Sequence, residues 1–267
     1  MVPDSVATPV RSPESTVPGA MGSFRGRTAL VTGGARGIGR AICRMLAAEG
    51  ARVAINYATN ERAAQETLDL VRSAGAEGVI VAGDVSQPDD VSRVIDQVRQ
   101  RFGPVELLVN NAGIAASCSH EEVLFEDWKR MFAVNVDGPF LTTWGVKDEM
   151  IHRRFGRIVN ISSLAGLKMK ARMIHYATTK SAVISFTRHC AEAFAPFNIR
   201  VNCVAPGLTN TELAQSANPD LIQHLISVTP MKRIGEPDEI ARVVRFLLSD
   251  DSSFMTAQTV SVCGGRV

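Results

Sequence analysis

The chain has 267 residues, 45% of them apolar and 21% charged, with a formal charge of +2 at neutral pH. That length suits one large α/β domain or two small ones, and the near-even charge removes any electrostatic case for nucleic acid or an acidic surface. Of the 29 basic residues 23 are Arg, and they are scattered along the chain rather than clustered. No apolar run reaches the length of a membrane span, so a cytoplasmic protein that makes no membrane contact is expected. The five cysteines (Cys43, Cys118, Cys190, Cys203, Cys263) are odd in number and lack C-x-x-C spacing, which argues against a disulfide framework and a zinc site.

Residues 1–20 hold four Pro and no periodic apolar pattern. No basic start precedes an apolar core, which excludes a secretory signal, and Asp4 and Glu14 beside a single Arg speak against a mitochondrial presequence. Residues 1–22 therefore read as a disordered leader to one domain, 23–267. From there short β-branched runs at 28–32, 52–56, 79–82, 107–110, 157–161, 199–204 and 259–262 alternate with helical spacing. The helical stretches are 37–49, 61–74, 89–102, 121–153, 175–194 and 237–248. This alternation predicts a parallel sheet with helices on both faces.

The first strand leads into Thr32-Gly33-Gly34-Ala35-Arg36-Gly37-Ile38-Gly39, which opens a helix. Gly33, Gly37 and Gly39 permit a tight turn and close backbone approach, and the helix start turns free N–H groups toward a diphosphate. A glycine-rich turn alone also fits a plain strand-to-helix connection; its place between the first and second strands makes it a candidate dinucleotide site. Such sites select NAD with an acid about twenty residues further on. The second strand ends instead in Asn56-Tyr57-Ala58-Thr59-Asn60, with no acid, while Arg36 suits a 2′-phosphate. NADP(H) is thus expected in preference to NAD(H), with Tyr57 among the lining residues. Asp84 and Val85, after the third strand, are placed to meet the adenine amino group. Asn111, Ala112 and Gly113, after the fourth, let backbone lie against a ribose, although Asp and Asn are also ordinary cap and turn residues.

Residues 163–180 hold Ser163, Tyr176 and Lys180. Four positions apart on a helix, Tyr176 and Lys180 share a face about one turn, or ~6 Å, apart. A free phenol titrates near ~10, and an ammonium fixed beside it is expected to lower that value and ready the phenol for proton exchange. The Ser163 hydroxyl would hold a carbonyl or alcohol oxygen beside the phenol. The pair alone also fits an ordinary helical face with a core Tyr and a solvated Lys.

Together the glycine turn, Asp84, Asn110-Asn111-Ala112-Gly113, Asn135, Ser163, Tyr176-x-x-x-Lys180 and Pro206-Gly207 stand in the order seen in short-chain dehydrogenases/reductases. The chain resembles that family over residues 24–267, and within it most resembles 3-oxoacyl-(acyl-carrier-protein) reductases and their carbonyl-reductase relatives. The resemblance implies a single doubly wound, Rossmann-type α/β domain with a seven-stranded parallel sheet. It implies Tyr176 as proton donor, Lys180 as holder of the nicotinamide ribose, Ser163 as orienter of the substrate oxygen, and Asn135 as anchor of a water linking Lys180 to solvent. Thr209 and Thr211, after Pro206-Gly207, fall where relatives touch the cofactor carboxamide and diphosphate. A homotetramer is implied, with helices at about 121–153 and 174–196 packed on partner copies.

Two departures stand out. Relatives that accept acyl-carrier protein have basic residues where this chain has Glu122 and Glu192, so an acidic carrier would be repelled. Relatives have Thr-Gly where this chain has Thr256-Ala257, a change expected to bring only a small backbone adjustment. His175, next to Tyr176 but about 100° around the helix, is expected at a pocket rim or partner surface. His120, His152, His189 and His224 lack metal-ligand spacing, so no metal is expected. Trp144 and Met150 read as interface or core. Residues 208–230, with Leu213, Leu221, Ile222, Leu225 and Ile226 on helical faces, read as a lid over a substrate with some apolar surface. The expected function is NADPH-dependent reduction of a ketone, a 3-oxoacyl thioester first. A dehydrogenase for another alcohol or a sugar, and a non-catalytic NADP(H) sensor, are the rivals.

Overall fold

The computed structural model describes residues 24–215 and 218–266; the expected leader lies outside them, as does the side chain of Leu213. In β1 (Thr28–Val31) successive side chains go to opposite faces of the sheet, so Ala29 and Val31 join one buried cluster and Leu30 the other. β2 (Arg52–Tyr57) repeats this, with Val53 and Ile55 on one side and Ala54 on the other. A sheet buried on both faces needs near-continuous apolar strands, and the short runs read from the sequence are of that kind.

The remaining strands are β3 (Gly78–Ala82), β4 (Leu107–Asn110), β5 (Gly156–Ile161), β6 (Ile199–Pro206) and β7 (Thr259–Val262). The sheet has seven strands in the order β3-β2-β1-β4-β5-β6-β7, and every pairing is parallel. One face is covered by α1 (Gly37–Ala48) and α2 (Glu61–Ser73), whose Ile42, Leu46, Leu68 and Val71 are buried there. The other carries α3 (Pro88–Phe102), whose Val91, Val94 and Val98 are buried in the second cluster. The chain winds outward from β1 to β3, returns to β4 and winds the other way. The crevice of a doubly wound sheet opens at such a reversal, here between the carboxyl ends of β1 and β4.

The single helix expected over 121–153 is instead three pieces: α4 (Phe125–Phe132), a π-helical stretch Ala133–Asp137, and α5 (Gly138–Arg153). Pro139 has no N–H to give and its ring crowds the carbonyl four residues back. The wider π turn accommodates it and carries Asn135 at its centre. Residues 120–122 form a turn, beside which the Glu122 carboxylate accepts from Ser119 N at 2.6 Å. α6 (Ile174–Phe194) packs beside α5 on the α3 face, and α9 (Pro237–Leu248) on the α1 face. Between β6 and α9 lie two short helices, α7 (Glu212–Gln215) and α8 (Pro219–Ser227). α8 has no buried residue and leaves Leu221 46% exposed, so it stands off the core. Among the described residues no helix is long and apolar enough to cross a membrane.

Ala257 sits at φ 62, in the left-handed region that glycine occupies freely. A Cβ in this conformation is strained where glycine would not be. Restoring glycine removes about 1–2 kcal/mol of steric cost and returns part of it through the looser unfolded chain. Ala257→Gly is expected to raise stability by about 0.5–1 kcal/mol, read as a higher midpoint at unchanged slope in urea. A lower midpoint would show that the strain is relieved by other means.

Candidate active site

The turn after β1 is stitched to the end of β4. Asn111 Nδ2 donates to Thr32 O and Gly33 O, both at 3.0 Å, and the backbone N–H groups of Asn111 and Ala112 both donate to Thr32 Oγ1 at 3.0 Å. Gly33 (φ 61) lies so close to this strand end that a Cβ there would stand 2.9 Å from Ala112 Cα. A Cβ on Gly39 would run into Gly33 O, so this helix can start here only with glycine. Gly37 (φ 53) faces Thr211, whose Cγ2 would be 3.1 Å from a Cβ at position 37. The segment after β6 thus reaches back over the turn, and its own Pro206-Gly207 is tied to β7 through Gly207 N and Val262 O at 2.8 Å. Thr209 and Thr211 there donate to Gly207 O and Thr209 O.

At the end of β2, buried Asn56 donates to Val81 O and Gly83 O and accepts from Gly33 N. Its amide does structural work where an acid might have sat. Tyr57 is half-buried, and burial, with the Glu61 carboxylate, pushes its hydroxyl above the ordinary tyrosine range. Arg36 is exposed at the start of α1 and has no side-chain partner among the described residues. It borders an open cleft of about 310 Å³ with Arg40, Asn60 and Glu212, in which Glu66 already pairs with Arg40 and Arg62. Glycines with no room for a Cβ at the start of a helix fit the diphosphate of a nicotinamide dinucleotide. Half-buried Ile38 packs on the core behind the turn. Asp84 Oδ1 accepts from Ser86 N and Oγ, and Val85 is buried against Gly138.

The catalytic candidates gather on the other side of the β4 end. Ser163 caps a 3₁₀ turn, Leu164–Gly166, through Ala165 N. Lys180 is buried and its Nζ donates to Ile161 O at 3.0 Å; Ser162 Oγ donates to Lys180 O at 2.7 Å. A Cβ on Gly113 would stand 3.1 Å from Asn135 Oδ1 and 3.3 Å from Lys180 Nζ, so both groups flank the same glycine. Asn135 accepts from Ile114 N and donates to Ile114 O and Thr179 Oγ1, which holds its carboxamide rigid.

Electrostatics correct one expectation. Lys180 Nζ lies 5.7 Å from the centroid of the Tyr176 ring and points to a carbonyl, not to the phenol. Burial raises the Tyr176 hydroxyl above the ordinary range, and its hydrogen bond with Ser163 opposes that only in part. Burial likewise pushes Lys180 down to about 8. The phenol is thus harder to ionise, because loss of water outweighs the hydrogen bond with Ser163.

His175 is also corrected. It is buried rather than at a rim, and neither ring nitrogen has a hydrogen-bond partner among the described residues. It lies one turn before Thr179 on the same helical face. Glu122 and Glu192 are exposed, Met150 is core, and Trp144 is 42% exposed. Among the described residues no group of three His, Cys, Asp or Glu is placed to hold a metal. Sequence reasoning missed Thr179 and the hydrogen-bonding roles of Thr32 and Asn56. It also missed a buried chain in which Asn110 Nδ2 donates to Asn160 Oδ1 and Asn160 Nδ2 to Thr187 Oγ1. The only signal for that chain was Asn in otherwise apolar strands.

A family model described as Enoyl-(Acyl carrier protein) reductase matches residues 33–266. The 3-oxoacyl-[acyl-carrier-protein] reductase of Synechocystis sp. is 36% identical, aligned over 92% of this chain and 99% of its own. The crystal structure of a 3-oxoacyl-[acyl-carrier protein] reductase from Brucella melitensis superposes with TM-score 0.87 at 36% identity, covering 96% and 97% of the two chains. An actinorhodin polyketide ketoreductase variant, solved with NADPH, superposes with TM-score 0.86 at 33% identity over 90% and 97%. Matched from the first glycine of the turn to the last strand, the chain belongs to the short-chain dehydrogenase/reductase family and is an oxidoreductase.

Proposed function

We propose that this enzyme reduces a ketone to a secondary alcohol with NADPH, and that a 3-oxoacyl thioester is the leading substrate class. The observation that carries the reading is the convergence of Lys180 Nζ and Asn135 Oδ1 on Gly113, with the Ser163 hydroxyl on the Tyr176 phenol. Gly33, Arg36, Gly37 and Gly39 would hold the adenosine and diphosphate end of the cofactor, with Ile38, Tyr57, Asp84 and Val85 around it. Asn111, Ala112, Gly113, Pro206, Gly207, Thr209 and Thr211 would line the rest. When bound, the nicotinamide supplies hydride to the carbonyl carbon.

Ser163 Oγ donates to the substrate carbonyl oxygen and holds it beside the phenol. Tyr176, kept protonated by its burial, gives its proton to that oxygen as negative charge develops there. An alkoxide is far more basic than a phenolate, so the transfer runs downhill despite the raised phenol. The buried Lys180 ammonium then stabilises the phenolate, and Asn135 holds a water through which the proton is replaced. Residues 208–230 act as the lid, and the apolar side chains of α8 suit a substrate with an acyl tail. The acids at 122 and 192 favour a free thioester over one bound to carrier protein.

A second copy of this chain is the partner we assign to α5 and α6. Phe140 stacks on Trp144 at 4.4 Å, and Phe186 stands 6.5 and 6.2 Å from the two rings. Phe140 and Trp144 are 41% and 42% exposed, which an aromatic cluster in a lone chain has little reason to be.

Three outcomes follow. With a panel of ketones, wild type should consume NADPH faster than NADH, and Tyr176→Phe should lose roughly 10²–10⁴-fold in rate while still binding NADPH. No turnover by wild type on any ketone, with tight cofactor binding, would favour the sensor. Lys180 carries its charge below its value of about 8 and loses it above. kcat/KM for reduction should therefore fall as pH rises through that point, and a profile flat to the ordinary lysine range would sink the role given to the ammonium. In sedimentation velocity, Phe140→Glu with Trp144→Glu should convert a tetramer to smaller species; a wild-type monomer would remove the partner assignment.

A further inference from the structure

β2 ends without an acid, but one enters the neighbouring cleft from another part of the chain. The open hollow of about 310 Å³ beside the glycine turn is lined by Asn60, just past the end of β2, and by Arg36, Arg40, Arg62 and Glu66. It is lined as well by Glu212, from the segment after β6. That segment is pinned where it leaves the sheet. Thr209 bridges Gly235, Asn210 N donates to Gly235 O at 2.8 Å, and Gly235 N to Leu208 O at 3.0 Å. Thr211 then rests on Gly37, and Glu212 Oε2 would stand 3.6 Å from a Cβ at position 37. Arg36 is the residue before Gly37, so its side chain and the Glu212 carboxylate border one hollow from distant parts of the chain.

Five charged side chains line this cleft, and three of them engage one another. Glu66 accepts from Arg40 at 3.0 Å and from Arg62 at 3.3 Å. Arg36 and Glu212 are left, and neither has an ion pair among the described residues. An anion drawn to Arg36 therefore also meets the field of an exposed carboxylate. The effect depends on the guest. A phosphate monoester carries about −1.5 to −2 at neutral pH and is repelled, whereas a free ribose hydroxyl is uncharged and can donate a hydrogen bond to the same carboxylate. An acid at the end of the second strand enforces that contrast in dinucleotide sites that take NAD. Here the acid comes from over the turn and shares its cleft with Arg36, so the two side chains weigh against each other.

We propose that Glu212 is a specificity-determining residue for the cofactor: its carboxylate works against the extra phosphate that Arg36 attracts. This rests on the dinucleotide reading above. The margin by which NADPH is bound over NADH is then smaller than the arginine alone would give, and NADP+ leaves faster than it otherwise would. The carboxylate acts through charge across an open cleft, so its effect belongs to dissociation constants and release rates and is screened by salt.

The test is a fluorescence titration of the full chain with NADPH and with NADH at low salt, which needs no substrate. Glu212→Gln should tighten NADPH more than NADH and widen the ratio of the two dissociation constants by about three- to ten-fold. Glu212→Asp keeps the charge and should leave the ratio close to that of wild type. The widening should shrink as salt is added, and stopped-flow release of NADP+ from Glu212→Gln should slow by a similar factor. Thermal melts control for folding. A ratio unchanged in Glu212→Gln, or widened equally in Glu212→Asp, would overturn the role of the carboxylate and leave the NADPH reading intact. A wild type that prefers NADH, with the ratio still shifting in Glu212→Gln, would overturn the NADPH reading and uphold that role. Failure of wild type to bind either dinucleotide would overturn both.

Discussion

Two parallel strands that part company at their carboxyl ends leave backbone groups without partners, and here Thr32 and Asn111 take them up. Four hydrogen bonds from two side chains close the gap where the sheet reverses direction. Each bond contributes only about 1 kcal/mol net, but a buried donor or acceptor left unmade costs about 1–3 kcal/mol. The clasp therefore fixes where the glycine turn lies relative to residues 111–113. Those residues in turn set the spacing between the turn on one side and Lys180 and Asn135 on the other.

The second constraint is dryness. Lys180 is buried although lysine is rarely found so, and what keeps it there is a carbonyl at the end of β5 together with α6 packed over the Ser163 turn. Gly166 allows that packing, since a Cβ there would stand 2.7 Å from the Lys180 carbonyl carbon. Removing water from an ammonium and a phenol moves both toward their neutral forms, so the site is poised with a protonated acid and a cation close to its own titration point. Small changes in hydration there shift charge, which suits proton exchange.

Most of the architecture was legible in the residues because the sheet is buried on both faces, and such strands announce themselves as short apolar runs between helical stretches. The glycines at 33, 37 and 39 and the spacing of Tyr176 and Lys180 were legible for a similar reason: only a few residue types do that work. What escaped depended on neighbours distant in sequence. The apolar pattern of 121–153 continues straight through a π turn, and Pro139 was the one sign of the break. The partnership of Asn110 with Asn160 needs the β4–β5 register, and a lysine read from sequence gives no hint that it will be desolvated. His175 was misjudged because its helical face was judged against Tyr176, not against Thr179 one turn on.

The π turn has an effect that reaches beyond its five residues. It adds roughly one residue to an otherwise regular spiral, so α4 is swung by about 100° around the axis relative to an uninterrupted continuation of α5. That swing decides which side of α4 carries the stacked Trp128 and Phe132 and which shows Phe125 to water. An evolutionary deletion of one residue from this stretch would turn α4 by about a quarter circle relative to α5, and would also carry Asn135 away from Ile114 and Thr179. The extra residue of the turn is what lets both the α4 face and the site residue be kept at once.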